Sequence, residues 1–326
     1  MIYEPKLIFF LYLYTQIAQT MSDCVKMTYD YHTPVMLQEA LEGLCIKHDG
    51  TYADLTFGGG GHSRAILERL SSKGHLYGFD QDLDAMASAP KDERFTFVRS
   101  NFRYLRNWML YYNVEGLDGI LADLGVSSHH LDDADRGFSF RFDAPLDMRM
   151  NQRARLTARE VVNTYTEEQL ANILRLYGEL REGKRMAATI AKAREKSPIE
   201  TTGQLAETVS HVLSRQHEKK DLARVFQALR IEVNGEMTAL HQMLEAATEM
   251  LRPGGRLVVL TYHSLEDRMV KNVMRSGNLD GRVVQDVYGQ VLTPLQMIGK
   301  VMAPSEEEQN GNPRSRSAKL RVAEKN

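Results

Sequence analysis

A run of four glycines within Asp54–Ser63 (Asp-Leu-Thr-Phe-Gly-Gly-Gly-Gly-His-Ser) constrains this chain more than any other feature. Residues 51–57 favour a strand and Ser63–Leu70 has apolar residues at helical spacing, so the glycines connect a strand to a helix. Glycine tolerates positive φ angles and exposes backbone amides to a ligand, and a helix N-terminus attracts polar or anionic groups. A turn without a ligand is the simpler alternative, but four glycines are costly in backbone entropy. The segment predicts a ligand-binding loop.

Two acidic residues are expected beside that loop. Asp80 follows the predicted strand Leu76–Phe79 and lies 22 residues after Gly58, a spacing that suits recognition of the two ribose hydroxyls of a nucleoside. Asp123 ends a second apolar stretch that begins at Leu117 and predicts a buried strand. Because the carboxyl ends of parallel strands share one edge of a sheet, the loop, Asp80 and Asp123 predict a nucleoside-cofactor site.

The glycine loop alone leaves the identity of the cofactor open. Gly58-x-Gly60-x-x-Ser63 nearly matches the dinucleotide pattern, so a NAD-dependent oxidoreductase is one candidate. The turn Pro253–Gly255, which precedes the predicted strand Arg256–Thr261, is instead typical of S-adenosylmethionine-dependent methyltransferases.

The alternation of strands and helices over residues 51–128 gives way to a helical stretch. The helices predicted there are Ala158–Tyr165, Glu167–Tyr177, Gly183–Arg194, Thr202–Ser214 and Leu222–Ala247. The strand pattern returns at Arg256–Thr261, and Ala318–Glu324 alternates as an edge strand of the sheet would. We therefore expect a discontinuous α/β domain, residues 28–133 and 231–326, interrupted by a helical substrate-recognition domain, residues 134–230.

The overall charge of −2 hides a basic segment. Residues 149–230 contain 16 Lys and Arg against 10 Asp and Glu, whereas the rest of the 326 residues is acidic. Such a segment suits contact with RNA phosphates, although a solvated helical surface would have the same composition. The candidate phosphate contacts are Arg153, Arg155, Arg159, Lys184 and Arg185.

The cysteines and the first residues bear on where the protein works. Cys24 and Cys45 are the only cysteines and lack metal-ligand spacing, so neither a disulfide nor a metal site is predicted, and a cytoplasmic location fits. Residues 7–18 are apolar but too short to span a bilayer, and no clear signal-peptide cleavage site follows. We expect residues 1–27 to be an upstream extension and translation to start at Met21 or Met27. The alternative is a signal peptide.

Six motifs resemble those of a single family: His32–Leu37, Thr56–Ser63, Asp123–Ser128, Leu131–Phe140, Pro145–Met150 and His263–Arg268. Over residues 29–326 the chain resembles the ribosomal RNA small subunit methyltransferase H family, whose members methylate N4 of a cytosine in 16S ribosomal RNA. The resemblance implies a Rossmann-like class I methyltransferase sheet with an inserted, mostly helical domain. It also implies S-adenosylmethionine as cofactor and 16S ribosomal RNA, within the small ribosomal subunit, as partner.

The resemblance assigns cofactor contacts to Gly60, Gly61, His62, Asp80, Phe102, Asp123 and His130. Two positions depart from the family pattern. His130 stands where the family commonly has Gln, and an imidazole can still form a hydrogen bond there. Leu180 stands where many members have Glu, so a carboxylate function at that position is not expected in this chain.

The chemistry of N4 methylation identifies a second set of candidates. The exocyclic amine of cytosine is a poor nucleophile because its lone pair is delocalised, so acceptors near its hydrogens would favour the transition state. Asp123 and Ser127 follow a strand that feeds the site, and His263 is expected at the end of another, so these three are the candidate catalytic residues. The alternative for Asp123 is cofactor binding alone. The alternative for the segment after His263 is a Ser264–Asp267 capping box that begins a helix.

The position of the cysteines separates two kinds of cytosine methylation. Transfer to C5 requires a nucleophilic thiolate, and neither cysteine follows a strand that feeds the site. We therefore expect transfer to N4. A non-catalytic assembly factor that retains the cofactor fold remains an alternative, against which the intact loop, Asp80 and Asp123 argue.

Overall fold

A computed structural model describes residues 34–126, 133–213, 216–289 and 291–326. The predicted site residues Ser127 and His130 lie outside these ranges, as do Cys24 and the predicted extension, residues 1–27. Within the described ranges, no helix combines the length and apolar character needed to cross a membrane.

The described strands form one sheet of seven, in the order β3-β2-β1-β4-β5-β7-β6. They are Thr51–Asp54 (β1), His75–Asp80 (β2), Phe95–Arg99 (β3), Leu117–Asp123 (β4), Leu251–Thr261 (β5), Leu295–Met302 (β6) and Lys319–Lys325 (β7). The first five pair in parallel, whereas β7 is antiparallel to both β5 and β6. The strand order reverses between β1 and β4, the position at which such sheets bind ligands. The expected Rossmann-like methyltransferase sheet is confirmed.

The described helices are Leu37–Leu44 (α1), Gly61–Leu67 (α2), Leu105–Tyr111 (α3), Ala158–Thr164 (α4), Glu167–Leu176 (α5), Gly183–Arg194 (α6), Thr202–Ser210 (α7), Glu218–Asn234 (α8), Glu236–Met250 (α9), Ser264–Ser276 (α10) and Glu306–Gly311 (α11). Alternate strand residues face opposite sides of the sheet. Tyr52 and Leu76 pack with residues of α1 and α2, whereas Ala53 and Tyr77 pack with residues of α3 and α9. Both faces of the sheet are therefore covered.

Helices α4 to α8 bury a hydrophobic cluster of their own. Val161, Ile190 and Phe226 lie in it, together with Leu180. The separate cluster supports the predicted helical domain, whose boundaries stay a prediction.

Two predicted elements are wrong in detail. The helix expected over Leu222–Ala247 is two helices, α8 and α9, because Gly235 between them has φ 58°, a left-handed conformation that ends one helix and begins the next. The apolar period continues across the break and so does not reveal it. The strand expected at the edge of the sheet, β7, lies between β5 and β6, and β6 was not predicted. Its Gly299 and Lys300 interrupt the apolar pattern that would identify a strand.

Candidate functional site

The glycine loop joins β1 to α2 in a conformation that requires glycine. Gly58 and Gly60 have φ angles of 50° and 75°, and a Cβ on Gly60 would lie 2.6 Å from the ring of Phe57. The carboxylate of Asp54, fully buried at the end of β1, accepts hydrogen bonds from the Thr56 N–H and the Ser63 hydroxyl, the latter at 2.6 Å. Asp54 thus ties the strand to the helix across the loop, and its burial raises its pKa.

Asp80 lies against the glycine loop, as the spacing predicted. Its Oδ2 accepts the N–H of Gly58 at 2.9 Å, and its Oδ1 accepts the N–H of Asp82 at 2.8 Å. These two bonds hold the Asp80 carboxylate against the glycine loop, and each carboxylate oxygen can accept more than one hydrogen bond.

Asp123 is held from three directions. Its backbone N–H donates to Thr56 Oγ1 at 2.6 Å, its Oδ1 accepts the Tyr262 hydroxyl at 2.7 Å, and its Oδ2 lies 3.9 Å from Nδ1 of His62. The buried His62 also places Nε2 3.2 Å from the carbonyl oxygen of Val35. Burial raises the pKa of Asp123, while His62 and the Tyr262 hydrogen bond act against that rise. The structure therefore brings the predicted residues His62 and Asp123 together and adds Tyr262.

A pocket opens where the carboxyl ends of β1 to β4 meet. Thr56 follows β1 there, Gln81 follows β2, Phe102 lies beyond β3, and Leu124 and Gly125 follow β4. The predicted Phe102 thus lines the pocket, and the predicted Gly60 and Gly61 belong to the loop that follows Thr56. A largely apolar lining with a few polar groups is the usual form of a small-molecule site.

The opposite wall of the pocket contains Met150 and Asn234, which the sequence did not single out. The amide of Asn234 accepts the Met150 N–H at 2.8 Å and donates to the Met148 carbonyl at 2.9 Å. Arg136, also buried, donates to Asp82 Oδ2 at 3.1 Å and to the carbonyl of Met150 at 3.2 Å. Asp82, two residues after β2, is thereby connected to Arg136 in the segment that precedes the helical part, helices α4 to α8.

His263 lies at the end of β5, as expected, but its ring caps α10. Its Nδ1 accepts the Glu266 N–H at 3.4 Å, and its Nε2 lies 3.1 Å from Glu266 Oε1. The predicted Ser264–Asp267 capping box is therefore wrong by one residue, because the cap is His263 paired with Glu266. The hydroxyl of Ser264 donates instead to Glu179. A catalytic role for His263 stays a prediction.

Glu236, His263 and Glu266 form the one group among the described residues whose donor atoms lie close enough, within 4.8 Å, to hold a metal ion. Arg230 already brings positive charge to it, since its guanidinium contacts both carboxylate oxygens of Glu236 at 2.8 and 2.9 Å. Burial raises the pKa of Glu266, but the hydrogen bond and charge of His263 and the N–H of Tyr262 hold it below its ordinary value. The group is an ion-pair network at the start of α10.

All five predicted phosphate contacts are exposed. Arg159 differs from Arg153, Arg155, Lys184 and Arg185 because it is paired with Glu200 at 2.9 Å. The four outside this ion pair are therefore the stronger candidates.

Comparison with known proteins gives a consistent picture. Residues 30–326 match the model of the MraW methylase family. A curated relative from Phocaeicola vulgatus, named ribosomal RNA small subunit methyltransferase H, is 61% identical over 296 residues, covering 90% of this chain and 97% of the relative. A relative of the same name from Parabacteroides distasonis is 61% identical over 297 residues, with the same coverage. The crystal structure of an rRNA methylase from Streptococcus thermophilus aligns with 89% of this chain and 93% of that chain, but a TM-score of 0.37 and 13% identity add nothing to the assignment.

Proposed function

This chain belongs to the MraW methylase family, and we propose that it transfers a methyl group from S-adenosylmethionine to N4 of a cytosine in small-subunit ribosomal RNA. The observation that carries the proposal is the meeting of the glycine loop, Asp80 and Asp123 at one sheet edge. It occurs in a chain that shares 61% identity, over 97% of their length, with relatives named for that RNA.

The residues at the pocket fit the cofactor. Gly60 and Gly61 carry no side chains at the start of α2 and so let a polar group approach it, Asp80 offers acceptors to the ribose hydroxyls, and the ring of Phe102 offers an apolar surface to the adenine. S-adenosylmethionine, when bound, supplies a methyl group on a positively charged sulfur. Asp80 and Phe102 come from neighbouring strand ends, which is why one nucleoside can meet both.

Asp123 is the residue best placed to act on the acceptor base. Methylation of N4 would require its alignment with the methyl carbon, would leave the carbon–sulfur electron pair on sulfur, and would oblige N4 to release one of its own protons. A carboxylate near N4 stabilises the positive charge that develops there and accepts the amino hydrogen. Asp123 donates its backbone N–H to Thr56 and precedes Leu124, both of which line the pocket, and Ser127 is proposed as a second acceptor. Alignment of the reacting atoms supplies most of the remaining catalysis.

We further propose that the substrate is 16S ribosomal RNA within the small subunit and that the enzyme works in the cytoplasm. The exposed cations Arg153, Arg155, Lys184 and Arg185 support contact with RNA phosphates. Methyl incorporation into small subunits from a strain without the enzyme should exceed incorporation into protein-free 16S RNA. Equal incorporation would contradict the particle as substrate, and none in either would contradict the activity.

Cofactor binding provides a second test. Calorimetry should show binding of S-adenosylmethionine and not of NADH, and Asp80→Ala should weaken the former by about 1–3 kcal/mol, the range for hydrogen bonds to a charged group. Asp92→Ala is the matched control, because Asp92 also accepts a backbone N–H, from Arg94 at 2.9 Å, but precedes β3 at the other end of the sheet. Unchanged affinity in Asp80→Ala would remove Asp80 from the site.

A further inference from the structure

We infer that Tyr262 is a positioning residue for methyl transfer: its hydroxyl fixes the carboxylate of Asp123, and its ring supports the backbone that follows Asp123. The inference rests on the proposed role of Asp123 as the acceptor beside N4. Tyr262 has no counterpart among the predicted site residues, since it follows β5 and lies 139 residues from Asp123 in the chain.

The first contact is the hydrogen bond itself. The Tyr262 hydroxyl donates to Asp123 Oδ1 at 2.7 Å, which leaves Oδ2 as the other oxygen of the carboxylate, 3.9 Å from His62. A carboxylate held by one oxygen cannot rotate freely about its last bond, so the direction of Oδ2 is set by the phenol.

The second contact is with the backbone. Gly125 has φ 104°, and a Cβ placed on it would lie 3.3 Å from the Tyr262 ring. The two strands are in register here, because the N–H of Leu124 donates to the carbonyl of Leu260 at 3.1 Å. The ring therefore packs on the first residues after β4, two of which line the pocket.

Tyr262 is itself anchored at its backbone. Its N–H donates to Glu266 Oε2 at 2.9 Å, within the cap of α10. The residue is thus fixed at its main chain by Glu266 and at its hydroxyl by Asp123. Replacement by phenylalanine would keep the ring packing and the backbone bond and remove only the hydrogen bond to Asp123.

Because charged groups surround Asp123, the hydrogen bond from Tyr262 affects the pKa of the Asp123 carboxyl. Asp54 at the end of β1 and Glu266 in α10 oppose a charge on Asp123, whereas His62 in α2 and the Tyr262 hydroxyl favour it. Burial and the negative charge of Asp123 raise the pKa of Tyr262 far above its ordinary value, so the phenol stays a donor wherever Asp123 is ionised. Without the hydroxyl, the pKa of Asp123 would rise further, and the ionised acceptor would be lost at a higher pH.

The test is the pH dependence of methyl transfer by Tyr262→Phe. We expect kcat to fall about tenfold, as for one hydrogen bond to a charged group, with the KM for S-adenosylmethionine nearly unchanged. The acidic limb of the kcat profile should move up by about one pH unit, since a lost hydrogen bond disfavours the charged form of Asp123. Tyr165→Phe is the matched control: its hydroxyl donates to Glu232 at the same 2.7 Å in the helical part, and its kcat and profile should equal the wild type.

Asp123→Asn separates this inference from the proposed function. If Asp123→Asn is inactive while Tyr262→Phe keeps the wild-type kcat and acidic limb, the inference alone is wrong. A lower kcat in Tyr262→Phe without a moved acidic limb would also contradict it, because that result indicates only general damage. If Asp123→Asn is fully active, the proposed role of Asp123 fails and the inference with it.

Discussion

The carboxyl edge of the sheet and the surface of the helical part use charge in opposite ways. At the sheet edge, Asp54, Asp80 and Asp123 are bound by short hydrogen bonds to the groups around them. On the helical part, the ion pair of Arg159 and Glu200 is more than half exposed, at 54% and 57% of the side-chain surface. We propose that the first arrangement fixes single atoms for a small cofactor, whereas the exposed cations of the helical part supply a summed field for a long polyanion. A single substitution should therefore change activity or stability strongly at the sheet edge and only weakly on the helical surface.

The largest effect is expected from Asp123→Asn. Loss of the charge that we propose acts on N4 should lower kcat by about 10²–10³-fold, the range for a preorganised electrostatic group. Because burial raises the folded-state pKa of Asp123, its charge opposes folding at neutral pH, and stability from this group grows as the pH falls through that pKa toward the ordinary value. The variant should consequently unfold at the same or a higher temperature at pH 7. A lower Tm, measured beside kcat, would contradict this account.

The next largest effect is a loss of stability expected at a buried ion pair, with an exposed ion pair as the control. Arg136 and Asp82 are each only 7% exposed, and Arg136→Met would leave the Asp82 carboxylate without its guanidinium. The free energy of unfolding should fall by about 3 kcal/mol, as for one partner removed from a buried pair. The control Arg159→Met should lose less than about 1 kcal/mol. Equal losses in chemical denaturation would show that the two regions do not differ.

Local patterns predicted much of the fold but not the pairing of distant parts. The bounds of β4 and α6 match the predicted Leu117–Asp123 and Gly183–Arg194, because apolar spacing follows the period of each element. The strand β6 escaped prediction because its pattern is interrupted and its partner, β7, comes later in the chain. Its place in the sheet depends on tertiary pairing.

In the candidate site too, features set by local sequence were predictable, and contacts between distant parts of the chain were not. The glycine loop, Asp80 and Asp123 were predictable because each follows a strand, and parallel strands end at one edge. Three contacts at the site could not be predicted because their partners are far apart in the chain. They are Tyr262 with Asp123, Arg136 with Asp82 and Asn234 with Met150, at separations of 139, 54 and 84 residues. Such contacts arise from how the helical part and β5 pack against the sheet, which no local spacing reports.

Several exposed cations of the helical surface must be replaced together to weaken RNA binding measurably. Replacing Arg153, Arg155, Lys184 and Arg185 together by Gln should weaken RNA binding about tenfold and flatten its salt dependence, while cofactor affinity stays unchanged. Four exposed lysines outside this part, Lys73, Lys91, Lys271 and Lys300, provide the matched control. The same salt slope in both variants, from filter binding at several salt concentrations, would favour a merely solvated surface.

The smallest effect concerns Asp267, a carboxylate of α10 that pairs with residues of β7. Burial raises the pKa of Asp267, but hydrogen bonds from Arg321 at 2.8 Å and Lys319 at 3.1 Å hold it below its ordinary value. Its stabilisation is therefore present at neutral pH and is lost as the pH falls below the ordinary value through the folded-state pKa. Asp267→Asn should lower Tm at pH 7, and the Tm of this variant should fall less in acid than that of the wild type. The change in Tm at pH 7 is opposite in sign to the one expected for Asp123→Asn. Parallel Tm profiles for Asp267→Asn and the wild type would refute the assignment.

The atom that receives the methyl group tests the central claim most directly. Cys45 ends α1, and the neighbouring Lys47 lies 3.1 Å from Asp118 near the start of β4, at the opposite end of that strand from Asp123. A thiolate mechanism through Cys45 is therefore not expected. Small subunits from a strain without the enzyme are incubated with it and labelled S-adenosylmethionine, and their RNA is digested to nucleosides for mass spectrometry. The account predicts N4-methylcytidine, formed equally by the Cys24→Ser/Cys45→Ser variant; 5-methylcytidine, or an inactive variant, would contradict it.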